Sequence, residues 1–378
     1  MNIAGLILSN LHRNRLPEMT RRRSLSSVPF GGRYRLIDFP LSNMVNAGIT
    51  NIGIATDFNY KSLLDHIGTG KDWDLARRSG GIRILPPYFS GADHIHYQQS
   101  YSTRLTAMMA TLDFVRRCPE DYIVLCDGNV ICNMDLTALV EQHVAKEADI
   151  TFVAKKMDVT AGMLNEDDIL IESDENGRLT SYARALPHEV GEKNVMINVI
   201  VMRTTFMRNM LENAAAHGAT SFGDDILRPN LKRWKVYVSY FEGWCAHIDS
   251  MESYFNRSME LLDPEVRADL FGREDRPILT KVRNSAPTKY APGAKVSDSL
   301  VADGCVIEGT VENCVLFRGV RIGKGTVVRN CVLMQDTYTG SNVTLQGVIA
   351  DKNVTIRDGR LLAGHETLPF YIDKGASV

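Results

Sequence analysis

The chain has 378 residues, 44% of them hydrophobic and 23% charged, the make-up of an ordinary globular protein with more length than one domain usually takes. Its formal net charge of −2 argues against a surface built for nucleic acid or anionic membrane, and no apolar run reaches the ~18 residues needed to cross a bilayer. The seven cysteines are scattered and odd in number, without a C-x-x-C pair, which fits reduced cytoplasmic thiols better than a disulfide framework or a zinc site.

The first ten residues have no basic segment ahead of a long apolar stretch, so no signal peptide is expected. Ile3 to Ser9, Asn51 to Thr56, Tyr122 to Cys126, Ile150 to Ala154 and Val195 to Met202 read as buried strands. Between them Leu105, Met108, Met109, Leu112 and Val115 keep helical spacing. Leu136, Leu139, Val140, His143 and Val144 do so again, with Asp135 placed to cap that helix. Such alternation predicts an α/β domain with a mostly parallel sheet over residues 1–262. His143 lies on the helix face and reads as a structural histidine.

Residues 263–292 lose periodicity and collect Pro264, Pro277, Pro287 and Pro292, which reads as a linker. From 293 to 378 aliphatic residues recur at a fixed distance. Val306, Ile322, Tyr338 and Val354 are 16 apart, as are Val311, Val327 and Val343, while Leu300, Leu316, Leu333 and Ile349 are 16 or 17 apart. Glycines and asparagines fill the gaps. Stacked coils of a left-handed parallel β-helix, roughly four of them, satisfy that period because like residues then bury one continuous column. A β-sandwich would not enforce it.

The densest signal is Val28 to Asn43, V-P-F-G-G-R-Y-R-L-I-D-F-P-L-S-N. The segment closely resembles the glucose-1-phosphate adenylyltransferases (ADP-glucose pyrophosphorylases). Further likenesses are Asn46 to Ile49, Met134-Asp135, Phe222 to Leu227, Ser253 to Phe255, and the tail phrases Ser299 to Val311 and Val315 to Val320. The resemblance covers nearly the whole chain. It implies a nucleotidyltransferase (Rossmann-like, GT-A-like) α/β domain, a left-handed β-helix, a tetramer and a place in glycogen synthesis. Read from chemistry alone, Arg33, Arg35 and Asp38 suit either a structural turn with a buried ion pair or a ligand site, and Gly31-Gly32 supplies a tight turn.

Joining ATP to glucose 1-phosphate brings two anions together, so a catalyst must cradle phosphate and neutralise developing charge. In the family that this chain resembles, a G-G-x-G-x-R-L loop follows the first strand. Here the same stretch reads Asn10-Leu11-His12-Arg13-Asn14-Arg15-Leu16, with every glycine replaced. The phosphate-reaching lysine of R-A-K-P is matched by Leu25. The two Mg²⁺ carboxylates fall on Asn129 and His247, a neutral amide and a ligand that Mg²⁺ disfavours. The sugar-site E-K-P falls on Arg184-Ala185-Leu186, and Y-R-G-T-A-D-A on Tyr101 to Ala107. Asp127 and Asp249 lie close enough to the vacated positions to serve as ligands only if the strands shift register.

Scaffold motifs stay while catalytic ones go. What the resemblance implies is a non-catalytic regulatory-type subunit with no metal and no cofactor of its own, assembled with a catalytic paralogue as a hetero-tetramer, or with itself. The basic group Arg13, Arg15, Arg21, Arg22 and Arg23 suggests a sugar-phosphate or nucleotide effector, or else a solvated loop. Two rivals remain: a nucleotidyltransferase still active through unusual ligands, and a β-helix acyltransferase, whose base would have to be the β-helix histidine, His365.

Overall fold

The structure, a computed structural model, describes residues 1–9, 11, 16–56, 59–86 and 103–378. The apolar runs of the first domain are strands of a nine-stranded mixed sheet. β1 (Ile3–Leu8), β2 (Asn51–Ala55), β3 (Gly81–Leu85) and β4 (Tyr122–Asp127) form a parallel block in the order β4-β1-β2-β3. β5 (Ile150–Val159), β6 (Ile169–Ser173), β7 (Leu179–Arg184), β8 (Gly191–Arg203) and β9 (Val236–Tyr240) complete it. The long β8 runs antiparallel to β4, β5 and β6, β7 pairs antiparallel with β6, and β9 lies parallel to β5.

Because side chains alternate along a strand, each strand of the parallel block serves two cores. Leu6, Leu8, Ile123 and Leu125 enter one, and Ile7, Val124 and Cys126 the other. That double burial explains the unbroken apolar runs. The helix expected over Leu105 to Val115 is two, Arg104–Met109 and Leu112–Arg117. At the break the Thr111 hydroxyl donates to the Met108 carbonyl at 2.7 Å, so the side chain offers the backbone a partner outside the helical ladder. Asp135 caps the helix Leu136–Ala145 as expected, accepting from the Ala138 N–H at 3.0 Å. His143 is buried on that helix with Nδ1 2.8 Å from the Thr151 hydroxyl, a packing role.

The tail is a left-handed β-helix of three five-stranded parallel sheets, hence five coils rather than four. Its first strand, Lys289–Tyr290, begins inside the stretch read as a linker. That stretch also holds a helix, Pro264–Phe271, capped by Asp263. Pro264 stands at the helix start, where a missing N–H costs nothing. Leu270 and Ile278 are buried, so the region is more ordered than its prolines suggested. The stacked columns also differ from a uniform 16-residue reading. Ile307 sits under Ile322, Val306 under Arg321, and Val311 under Val328. The second coil turns its first corner with Glu308-Gly309 alone, where the third uses Gly323 to Thr326, so coil lengths are 15 and 17. An average of 16 slips by one.

One face of the β-helix closes against the first domain. Val315, Phe317, Val332, Met334 and Ile349 share a core with Leu16, Met19, Leu25, Phe30, Phe39, Tyr254 and Phe255. Gly31 and Gly32, at φ 59° and 81°, make the tight turn expected of them. Beside this apolar seam Arg23 donates to both Asp351 oxygens at 2.8 and 2.7 Å, and the Tyr371 hydroxyl adds 2.8 Å. Among the described residues no helix is long and apolar enough to cross a membrane.

Two outcomes follow from these contacts. Arg23→Ala strands a buried carboxylate and is expected to cost ~3–5 kcal/mol in denaturant unfolding; a loss under ~0.5 kcal/mol would show the pair to be incidental. Burial, helped by Arg203, lowers the His143 pKa from 6.5 to about 4. The unfolded chain therefore takes the proton first, and stability present above 6.5 drains away as pH falls toward 4. His143→Gln should flatten that limb of a melting-temperature profile against pH, and an unaltered profile would rule the contribution out.

Candidate functional site

The site forms where the parallel strands β1 and β4 end side by side, the usual place for a ligand crevice in an open α/β sheet. After β4 the Gly128 N–H donates to the Leu8 carbonyl at 2.8 Å, and a side chain there would press within 2.8 Å of Ser26 and 3.1 Å of Ser9. The chain then enters a short strand, Val130–Cys132, paired antiparallel with Cys245–His247 so that His247 faces Val130. The motif helix Asp38–Asn46 fixes that strand. Asn43 donates to the Cys132 carbonyl at 3.0 Å and accepts from the Met134 N–H at 3.2 Å.

This pairing brings together Asn129 and His247, the positions where the resemblance places metal carboxylates. The buried Asn129 amide donates to the Ile248 carbonyl at 2.9 Å and lies 2.8 Å from His247 Nε2. With the amide donating, Nε2 accepts, and Nδ1 on the other side of the ring lies 4.0 Å from Asp168. The two side chains satisfy each other. Mg²⁺ does not fit here, since it asks for hard oxygen anions and finds an amide NH₂ and an imidazole. Nor do the nearby carboxylates move in. Asp127 is buried and ion-paired with Arg104 at 2.6 Å, and Asp249 accepts a short hydrogen bond from Asn165. The ladder is regular, with Leu8 opposite Asp127 and Val199 opposite Cys126, which leaves no room for a shift by two.

A cleft of about 670 Å³ opens beside His247, lined among others by Lys155, Asp168, Met196, Asp249, Ser253 and Arg257. Its two cations are already engaged, Lys155 with the Gly243 carbonyl and Arg257 with Glu260.

The other expected positions are dispersed. Leu11 is buried in the same core as Leu8 and Leu105, and Leu25 in the interdomain core, so both have become packing residues. Arg184 is exposed at the end of β7. Of the basic group, Asn10's neighbours Arg13 and Arg15, like Asn10 itself, lie outside the described residues. Arg21, Arg22 and Arg23 all turn to the end of the β-helix, toward Asp373, the Lys374 carbonyl and Asp351. Arg23 is thus a buried structural residue rather than a ligand arm. His365 is exposed in a turn with Thr367, far from the buried setting an acyl-transfer base needs.

A second concavity of about 390 Å³ lies between the domains. Arg33 and Arg35 of the motif, Lys281 and Arg283 of the connecting stretch, and Arg318 and Lys352 of the β-helix all line it. Asp38 is not Arg35's ion partner. It accepts from the Arg35 backbone N–H at 3.0 Å and meets His66 Nε2 at 2.6 Å, while the Arg35 guanidinium donates to the Ser62 carbonyl and hydroxyl. Four of these cations were not singled out from the sequence, because they lie in three separate stretches that only folding joins. Arg104 could have been found as a bulky cation at a threonine position of the sugar-site motif.

Residues 4–162 match the nucleotidyl transferase family, and residues 286–366 match the GlmU-like C-terminal hexapeptide family. The chain is 32% identical to the Glycogen biosynthesis protein GlgD of Bacillus subtilis (strain 168), over 98% of this chain and 95% of that protein. It is 34% identical to the Glucose-1-phosphate adenylyltransferase of Geobacillus stearothermophilus over 86% of this chain and 82% of the other. The enzyme of the same name from Clostridium perfringens (strain SM101 / Type A) is 32% identical over 89% and 85%.

Restoring the charges tests the vacated pair. The double variant Asn129→Asp with His247→Asp is expected to gain a Mg²⁺-dependent rise in melting temperature that the parent chain lacks, and an equal rise in both would show that the metal never depended on these positions.

Proposed function

The chain belongs to the glucose-1-phosphate adenylyltransferase family, and from that premise we propose that it is a non-catalytic, regulatory-type subunit of ADP-glucose synthesis in glycogen formation. The observation that carries this reading is the hydrogen bond between Asn129 and His247, which occupies both metal positions with groups that need no metal. Loss of the metal alone removes on the order of several kcal/mol of transition-state stabilisation, or thousands-fold in rate. Leu25 in the place of a phosphate-binding lysine and Arg104 locked to Asp127 point the same way.

The partner is a catalytic relative in the cytoplasm, joined in a hetero-tetramer. The regulatory input is an anion, a sugar phosphate or a nucleotide, bound in the basic concavity between the domains. Arg33, Arg35, Lys281, Arg283 and Arg318 there outweigh the carboxylates that face them, and both domains contribute, so an anion spanning them favours one interdomain arrangement over others. A subunit of this kind acts by holding its partner in the active state more tightly than in the inactive one.

The chain purified alone is expected to form ADP-glucose at least ~10³-fold more slowly than the catalytic relative. Mixed with that relative, it should co-elute as one oligomer and change either its rate or its effector response by roughly 5–150-fold. Unchanged partner kinetics in a verified complex would sink the regulatory reading, and Mg²⁺-dependent turnover by the isolated chain would favour the rival reading of a weakly active nucleotidyltransferase.

A further inference from the structure

Among the six basic side chains that line the interdomain concavity, Lys352 stands in an unusual position. The carboxylate beside it in sequence, Asp351, is already taken by Arg23 through two hydrogen bonds and by the Tyr371 hydroxyl. Arg35 is held by Ser62, and Arg318 by Asp303 at 3.1 Å, so two of the guanidinium groups that line the concavity with Lys352 are held in place. The groups acting on its amine are Arg35, Arg23 and Arg283 on the positive side and Asp351 on the negative, with His66, Lys281 and Arg318 also on the concavity wall. Burial first, then these cations, push the ammonium pKa down to about 6. That lowering favours the free amine, a nucleophile on the wall of a small open concavity that Arg33, Arg35, Arg283 and Arg318 also line.

We propose that Lys352 is a carbamylation site, whose ε-amine takes up carbon dioxide and holds the product as an anion among the cleft's arginines. The nitrogen lone pair attacks the carbon of CO₂, the N–C bond forms, and one C=O electron pair moves onto oxygen. The nitrogen then gives one proton to solvent, and no redox partner is needed. A neutral amine becomes a planar carboxylate-like group, the shape and charge that fixed guanidinium groups bind through paired hydrogen bonds. The proposal rests on the reading of this concavity as an anion site, and it deepens it. The carbamate and a phosphate-bearing effector would claim the same cations, so carbon dioxide and effector compete.

The test uses the full chain equilibrated with ¹³C-bicarbonate at mildly alkaline pH. The wild type should show a reversible carbamate ¹³C resonance, lost in Lys352→Arg and in Lys352→Gln, with melting curves confirming that each variant is folded. Trapping with an alkylating oxonium reagent should place the added carboxyl group on the peptide containing Lys352. The amine of Met1 contributes equally to all three proteins, so the difference decides. No extra resonance in the wild type, or one that survives both substitutions, overturns the proposal. Calorimetry with inorganic phosphate separates the two ideas. Phosphate binding without carbamate leaves the anion site and sinks this inference, whereas carbamate without phosphate binding upholds it and sinks the effector reading.

Discussion

Arg23 and Asp351 meet in the interior of the molecule, one from the turn after the first strand's loop and one from the fourth coil of the β-helix. A charge pair in that setting is expensive to desolvate and costlier still to break, so each residue holds the other in place. Around it the apolar face of the coils and the Leu16 to Phe39 segment form one core rather than two touching surfaces. The consequence is that neither concavity described above belongs to a single domain in any useful sense. The basic one is walled by both, and the segment carrying Leu25 and Ser26, which packs behind Gly128, is pinned by the same seam.

Most of the fold was legible because its elements follow simple periods. Runs such as Ile3 to Leu8 and Tyr122 to Asp127 are apolar on both faces because helices cover both, and the Asp135 cap has its own local chemistry. What escaped was set by contacts distant in sequence or by single side chains. The break at Thr111 comes from one hydroxyl, and the slip in the coil register comes from a corner shortened by two residues. The helix Pro264–Phe271 was hidden by a proline that sits harmlessly at its start.

The site was legible in a different way. Resemblance to a family located Asn129 and His247, and the short ladder between Val130–Cys132 and Cys245–His247 does bring them to hydrogen-bond distance. Composition or spacing alone would not have found them, since an asparagine and a histidine 118 residues apart carry no pattern. The basic cluster near the N-terminus was misleading for the opposite reason. Adjacent arginines look like one surface, yet Arg23 turns inward while Arg21 and Arg22 reach the last coil. Proximity in sequence says little about where long side chains end.

The interdomain core also sets an order of assembly. Most strands of the β-helix pair with a neighbour only 15 or 17 residues away, and the last with one 22 away, so the coils can zip up quickly once made. The Leu16 to Phe39 face, by contrast, has its covering partners Val315 to Ile349 some three hundred residues further along the chain. During synthesis that apolar face is finished long before its cover leaves the ribosome, and at about 5–20 residues per second it waits for tens of seconds. The nascent chain thus carries a sticky, half-built surface through much of its translation, and the rapid closure of the coils is what ends that exposure.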